Sequence, residues 1–150
     1  MKISPRKLNS FLLLKLPSAW FCGVRVKHID DQRCETSVTH RWINQNPFNS
    51  MYFAVQAMAA ELSTGALVIS YIKDCDRKIS MLVAQNKAVF SKKARGKISF
   101  KCNDGHLVSK AISKTIETGE SQTFWMKSIG INEDGVEVSV FDFEWTVKLK

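Results

Sequence analysis

At 150 residues the chain suits one domain, 1–150, and is long enough to bury a sizeable core. Its apolar (45%) and charged (24%) fractions are ordinary for a globular protein, and no repeat, low-complexity tract or Ser/Gly-rich linker divides it. The net charge of +8 points to a polyanionic partner (nucleic acid, an anionic membrane surface or a phosphorylated small molecule) or to an evenly solvated basic surface.

Four cysteines, Cys22, Cys34, Cys75 and Cys102, and three histidines, His28, His40 and His106, are scattered. None has the spacing of a metal site or a disulfide framework. Free thiols and a cytoplasmic location are the expectation, with no metal and no cofactor.

The first 18 residues read as a helical segment. The apolar run Phe11–Leu14 superficially resembles a signal peptide, but Lys15 interrupts it and no clean small-residue cleavage site follows. A helix between Pro5 and Pro17 would put Leu8, Leu12 and Phe11 on one face. Trp20 to Ile29 reads as a strand, and Asp30-Asp31 as a turn. A second strand, Cys34 to Ile43, sets Thr36, Val38, His40 and Trp42 against Ser37, Thr39 and Arg41.

Residues 49–69 read as a helix, capped by Asn49 or Ser50, that is apolar almost all round. Such a helix is buried on most sides. Its length approaches a membrane span, but Gln56, Glu61, Ser63 and Thr64 argue against one, since a carboxylate at mid-bilayer costs roughly 2.5–3.5 kcal/mol on insertion scales. It needs a sheet around it. Ile79–Phe90 and Gly96–Cys102 read as strands joined by the basic turn Ser91-Lys92-Lys93-Ala94-Arg95. Asp104–Thr118 reads as a helix with Leu107, Ala111 and Ile112 on one side, ending near Gly119. Gln122–Ile131 and Val136–Leu149 form a last hairpin across Asn132-Glu133-Asp134-Gly135. There Val136, Val138 and Val140 alternate with Glu137, Ser139 and Phe141, one face buried and the other partly exposed. The class is α+β, with an antiparallel sheet around one helix.

Two stretches carry a family resemblance: Arg41-Trp42 with Asn46-Pro47-Phe48 and the Ala-Ala-Glu-Leu-Ser-Thr-Gly tail of the helix, and Phe90-Ser91-Lys92-Lys93-Ala94-Arg95-Gly96. The chain resembles the hotdog superfamily, and more narrowly the family called domain of unknown function 4442, near the phenylacetate-pathway thioesterases. The resemblance implies a hotdog fold and hydrolysis of an acyl-CoA or acyl-carrier thioester, coenzyme A being part of the substrate.

In catalytic relatives an Asn precedes a His-Gly-Gly helix start, and an Asp or Glu follows about two and a half turns along. Asn46 and Glu61 match those positions and are the implied catalytic residues, Glu61 as general base or nucleophile. Where His-Gly-Gly would fall stands Tyr52-Phe53-Ala54. Backbone N–H groups for an oxyanion remain, but side chains narrow the approach that glycine leaves open.

Each of these residues also has a plainer reading. Glu61 is expensive to bury unpaired and could be satisfied by local hydrogen bonds or a basic residue across a dimer. Asn46 could be a turn residue, Ser50 an N-cap, and Thr64 either a site lining or packing. Lys92, Lys93 and Arg95, with nearby Lys97, could hold coenzyme A phosphates or simply be solvated. Phe124, Trp125 and Trp145 suit core or subunit packing. A hotdog that binds acyl groups without turnover is the alternative function. The resemblance further implies a homodimer or a dimer of dimers. Nucleic-acid binding lacks any reading helix or stacking motif.

Overall fold

The computed structural model describes residues 3–150. Met1 and Lys2, part of the expected N-terminal helical segment, lie outside the described residues. Pro5 at the first turn and the Ser4 hydroxyl, which accepts from Lys7 N, start α1 (Pro5–Lys15). Leu8 and Leu12 form its buried face, and Phe11 is half-buried.

The expected strand from Trp20 is shorter than read. Pro17 opens a second short helix, α2 (Pro17–Phe21), and Gly23 (φ 92°) turns the chain into β1 (Arg25–Ile29). The next strand, β2 (Cys34–Thr39), also ends early. Beyond it Asn44 accepts from Arg41 N and donates to Cys22 O and Thr39 O, folding residues Trp42–Asn44 into a 3-10 turn. Trp42 is therefore 82% exposed and does not share the buried face of Thr36 and Val38.

The central helix, α3, runs Phe53–Asp74, displaced toward the C-terminus from the expected 49–69. Asn46 causes the late start. Its Oδ1 accepts from Phe48 N, Ser50 N and Ser50 Oγ, and Asn49 takes φ 53° to close the loop. Neither Asn49 nor Ser50 is then the cap; Tyr52 is, without a side-chain cap bond. Nothing between Ile69 and Asp74 breaks the helix, so it continues for another turn. By length and composition α3 could cross a membrane, but 67% of its most apolar stretch is buried in the fold.

The sheet has six antiparallel strands in the order β1-β2-β4-β5-β6-β3, where β3 is Ile79–Phe90, β4 Lys97–Cys102, β5 Gln122–Ile131 and β6 Glu137–Leu149. It curls around α3, whose Val55, Ala59, Ala60, Leu62, Ala66 and Leu67 are buried against it. Because β3 and β4 are not neighbours, the basic turn 91–96 is a crossing past the ends of β6 and β5, not a hairpin. Met51 N donates to Ala94 O and Arg95 Nε to Asn49 O, stapling the crossing to the loop before α3.

Helix α4 (Gly105–Thr118) ends at Gly119 in the left-handed region and buries Val108, Ala111, Ile112 and Thr115. Val108 takes the inward position expected of Leu107. In β6 the buried face also differs in phase. A register shift between Gly130 and Ile131 buries Val138 and Ser139 in succession, and beyond them Phe141, Phe143, Trp145 and Val147 point inward.

Candidate active site

A cavity of ≈ 460 Å³ opens where the 46–52 loop, the start of α3 and the basic crossing meet. Asn46, Ser50, Tyr52, Phe53, Lys92 and Lys93, all expected site residues, line it together with Phe48, Met51, Gln56 and Phe90. The crossing explains the convergence. It carries Lys92 and Lys93 over the open end of the curled sheet, and the Met51–Ala94 bond holds them beside the helix start.

Several of these residues are already engaged. Asn46 spends its amide on the loop, with Nδ2 donating to Ser50 Oγ (3.0 Å) and Oδ1 accepting from Phe48 N (2.9 Å). Arg95 lies outside the cavity lining and is bonded to Asn49 O. Lys97 donates its backbone N–H to Glu133. Tyr52 and Phe53 stand half-exposed in edge-to-face contact, centroids 5.0 Å apart, and Phe53 continues edge-to-face onto Phe90.

At the helix start, Val55 N and Gln56 N both donate to Tyr52 O. The first amides of a helix have no intrahelical acceptor, and with no side-chain cap among the described residues the Phe53 and Ala54 N–H groups remain open, although Ala54 is not itself part of the cavity lining. The dipole of a 22-residue helix adds positive potential there.

Glu61 is elsewhere. Nine residues along α3 from Tyr52, it lies about 13 Å further down the axis and does not line this cavity. Its carboxyl is set in an apolar recess against the bare face of Gly65. A Cβ on Gly65 would sit 3.2 Å from Glu61 Oε1 and 3.1 Å from the Trp145 ring. Among the described residues no hydrogen bond or ion pair reaches that carboxyl, and burial pushes its pKa up to about 7. Thr64 does not line the cavity: it is fully buried, donating to Glu61 O (2.8 Å) and accepting from Trp145 Nε1 (3.0 Å). Trp145 is core, 3% exposed, as its pattern suggested.

Sequence reading missed Gln56 as a site residue. Its signal is a lone amide one turn into an apolar helix, a pattern that argues against a membrane span but does not by itself mark a site. Trp145 as the wall of Glu61 had no sequence signal, because 84 residues separate the two.

A long central helix inside a curled six-stranded antiparallel sheet, with a cavity at the helix start, defines a hotdog fold. Residues 5–147 match the family described as Domain of unknown function (DUF4442), and the chain belongs to that family.

Solved structures agree on the fold. A protein of unknown function from Pseudomonas aeruginosa, described as a probable thioesterase, superposes with TM-score 0.81 at 19% identity, covering 98% of this chain and 97% of its own. A protein of unknown function from Chlorobaculum tepidum gives 0.82 at 12%, covering 98% of each chain. A thioesterase from Haemophilus influenzae gives 0.75 at 12%, covering 99% of this chain and 93% of its own. Nothing among curated proteins matches the chain.

Proposed function

We propose that this protein hydrolyses acyl-CoA (or acyl-carrier) thioesters in a composite site formed by two copies of the chain. The observation that carries the reading is Glu61: an unpaired carboxyl on the central helix, held near neutral pKa by an apolar recess. Carboxyls perturbed in this way suit general-base work close to pH 7.

In the proposed reaction, Glu61 takes a proton from water as the water oxygen bonds to the thioester carbon. The carbonyl π electrons move onto oxygen, which the Phe53 and Ala54 N–H groups hold. Collapse of that oxyanion breaks the C–S bond, and the departing thiolate takes up the proton that Glu61 holds, which restores the carboxylate. Asn46 and Ser50 shape the loop before the helix. Lys92 and Lys93 at the rim suit the phosphates of coenzyme A, as compact cations that need no fixed fork geometry.

Glu61 and the helix-start amides of Phe53 and Ala54 lie about 10–12 Å apart along one helix, too far to act on one carbonyl. A second copy supplies the missing half. The sheet edges favour that arrangement. Strand β3 ends the sheet, 12 residues long, with Leu82, Val89 and Phe90 exposed. An uncovered edge of that length invites pairing with its own copy. A non-catalytic acyl-binding role is the second reading, favoured by the Tyr52 and Phe53 rings at the cavity mouth.

The test is thiol release from short, long and aryl acyl-CoAs by the wild type and Glu61→Ala. Loss of roughly a hundredfold or more in the variant is expected. Equal rates would remove Glu61 from the mechanism, and no release by folded wild type would leave the binding role.

A further inference from the structure

The cavity at the α3 start is apolar and aromatic on most sides, through Phe48, Met51, Tyr52, Phe53 and Phe90. Gln56 is one of its polar members, beside Asn46, Ser50, Ser91, Lys92 and Lys93. It lines the cavity yet is only 4% exposed, and it sits one turn into α3 on the same face as Phe53.

Its orientation is set from the opposite side. Ser139, fully buried on β6, donates its hydroxyl to Gln56 Oε1 at 2.9 Å. With the oxygen taken, the amide nitrogen is left with one long contact, 3.5 Å to Met51 O. Such a contact is at the limit of a hydrogen bond, so the second N–H is uncommitted. A buried amide nitrogen with only a long contact is weakly satisfied, and a ligand oxygen in the cavity would give its free N–H an acceptor.

The support reaches one layer deeper. Ser139 pairs with Gly130 across β5 and β6, and a Cβ on Gly130 would fall 2.8 Å from Ser139 Oγ and 2.6 Å from Phe100 Cε1. Glycine at 130 leaves the Ser139 hydroxyl room to point at Gln56. Gly130, Ser139 and Gln56 thus form a line from the sheet to the cavity, ending in an amide donor.

We propose that the Gln56 side-chain amide donates to the carbonyl oxygen of the bound thioester and is a catalytic residue, with Ser139 as its positioning residue. This rests on the thioester reading above. Phe53 and Ala54 have side chains that crowd the helix-start amides, and Gln56 places a further donor one turn inside, beyond that crowding. As the oxyanion forms, the N–H···O bond becomes charge-assisted and strengthens, so its benefit falls on the transition state.

Two measurements test this on the whole protein. The first compares, by calorimetry, two unreactive coenzyme A ligands of equal chain length: a ketone, with CH2 in place of sulfur beside the carbonyl, and the same compound with that carbonyl reduced to CH2. Wild type should prefer the ketone by roughly fivefold to tenfold, and Gln56→Leu should bind both alike. A preference that survives in Gln56→Leu, or none in wild type, overturns the proposal.

The second is turnover. Gln56→Leu should lose roughly 10²–10³ in kcat, the scale of one oxyanion donor, with KM nearly unchanged. Ser139→Ala, which lets the amide rotate, should lose less and in kcat again. A change confined to KM would overturn the catalytic role. Should wild type turn over no acyl-CoA, the hydrolase reading falls while the ketone comparison still decides Gln56. Should Gln56→Leu not fold, Gln56→Met keeps the length and the apolar packing, removes the donor, and is read in the same way.

Discussion

The side-chain amide of Asn9 pairs with the backbone of Val26 in both directions: Nδ2 donates to Val26 O at 3.0 Å and Oδ1 accepts from Val26 N at 2.8 Å. A residue of α1 thereby imitates a neighbouring strand and covers part of the β1 edge. The opposite edge, β3, has no such cover among the described residues. This asymmetry between the two ends of one sheet is the physical reason to expect self-association at β3 and not at β1.

Asn9→Ala removes both bonds and leaves buried backbone groups of Val26 unpaired. A loss of about 2 kcal/mol is expected, measured as a lower urea midpoint with unchanged m. Asn9→Asp keeps the acceptor, loses the donor and should fall in between.

At the other edge, Leu82→Lys with Val89→Lys places charges on exposed β3 positions. The double variant should sediment as a monomer at concentrations where wild type is dimeric, with unchanged far-UV circular dichroism. It should also lose thiol release, because each half-site loses its complement. A monomeric wild type at tens of micromolar would dispose of the composite site.

Glu61 makes a pH-dependent prediction. Its ordinary pKa of 4.5 rises to about 7 in the folded protein, so folding disfavours the ionised form. The penalty is absent below about pH 4.5, grows between there and pH 7, and is full above, at roughly 3 kcal/mol. Glu61→Gln should therefore raise Tm at pH 8 and change it little at pH 4, while activity is lost throughout. In wild type, kcat/KM should climb with pH on a limb near 7. Direct carboxyl titration by 13C NMR checks the same group without turnover.

Gly105 tests backbone packing away from the site. A Cβ there would fall 2.1 Å from Asp31 O and 2.7 Å from Gln32 Cα, both main-chain atoms that no rotamer change can move. Gly105→Ala should cost about 3 kcal/mol or more, despite alanine's better helix propensity, seen as a large fall in Tm.

The thiols should divide into two pairs. Burial pushes Cys102 up to about 12 and Cys34 higher still, whereas Cys22 and Cys75 are partly exposed. At pH 8, iodoacetamide should label two cysteines in the native protein, identified by peptide mass as 22 and 75, and the other two only after unfolding.

Local chemistry determined much of this protein from sequence alone. An all-round apolar segment with no breaker is a buried helix, Asp134-Gly135 is a turn, and alternating β-branched and aromatic runs are strands; each depends only on neighbours in the chain. The family resemblance rested likewise on short contiguous motifs, and six of the residues singled out from sequence, Asn46, Ser50, Tyr52, Phe53, Lys92 and Lys93, line one cavity. What required tertiary structure was every relationship set across the sheet. The phase of β6 turned on a register shift against β5, and the helix start turned on the loop that Asn46 closes. Trp145 became the wall of Glu61, and Ser139 the holder of Gln56, through contacts spanning more than 80 residues. Curling the sheet around one helix brings such distant positions together, and no periodicity along the chain encodes which of them will meet.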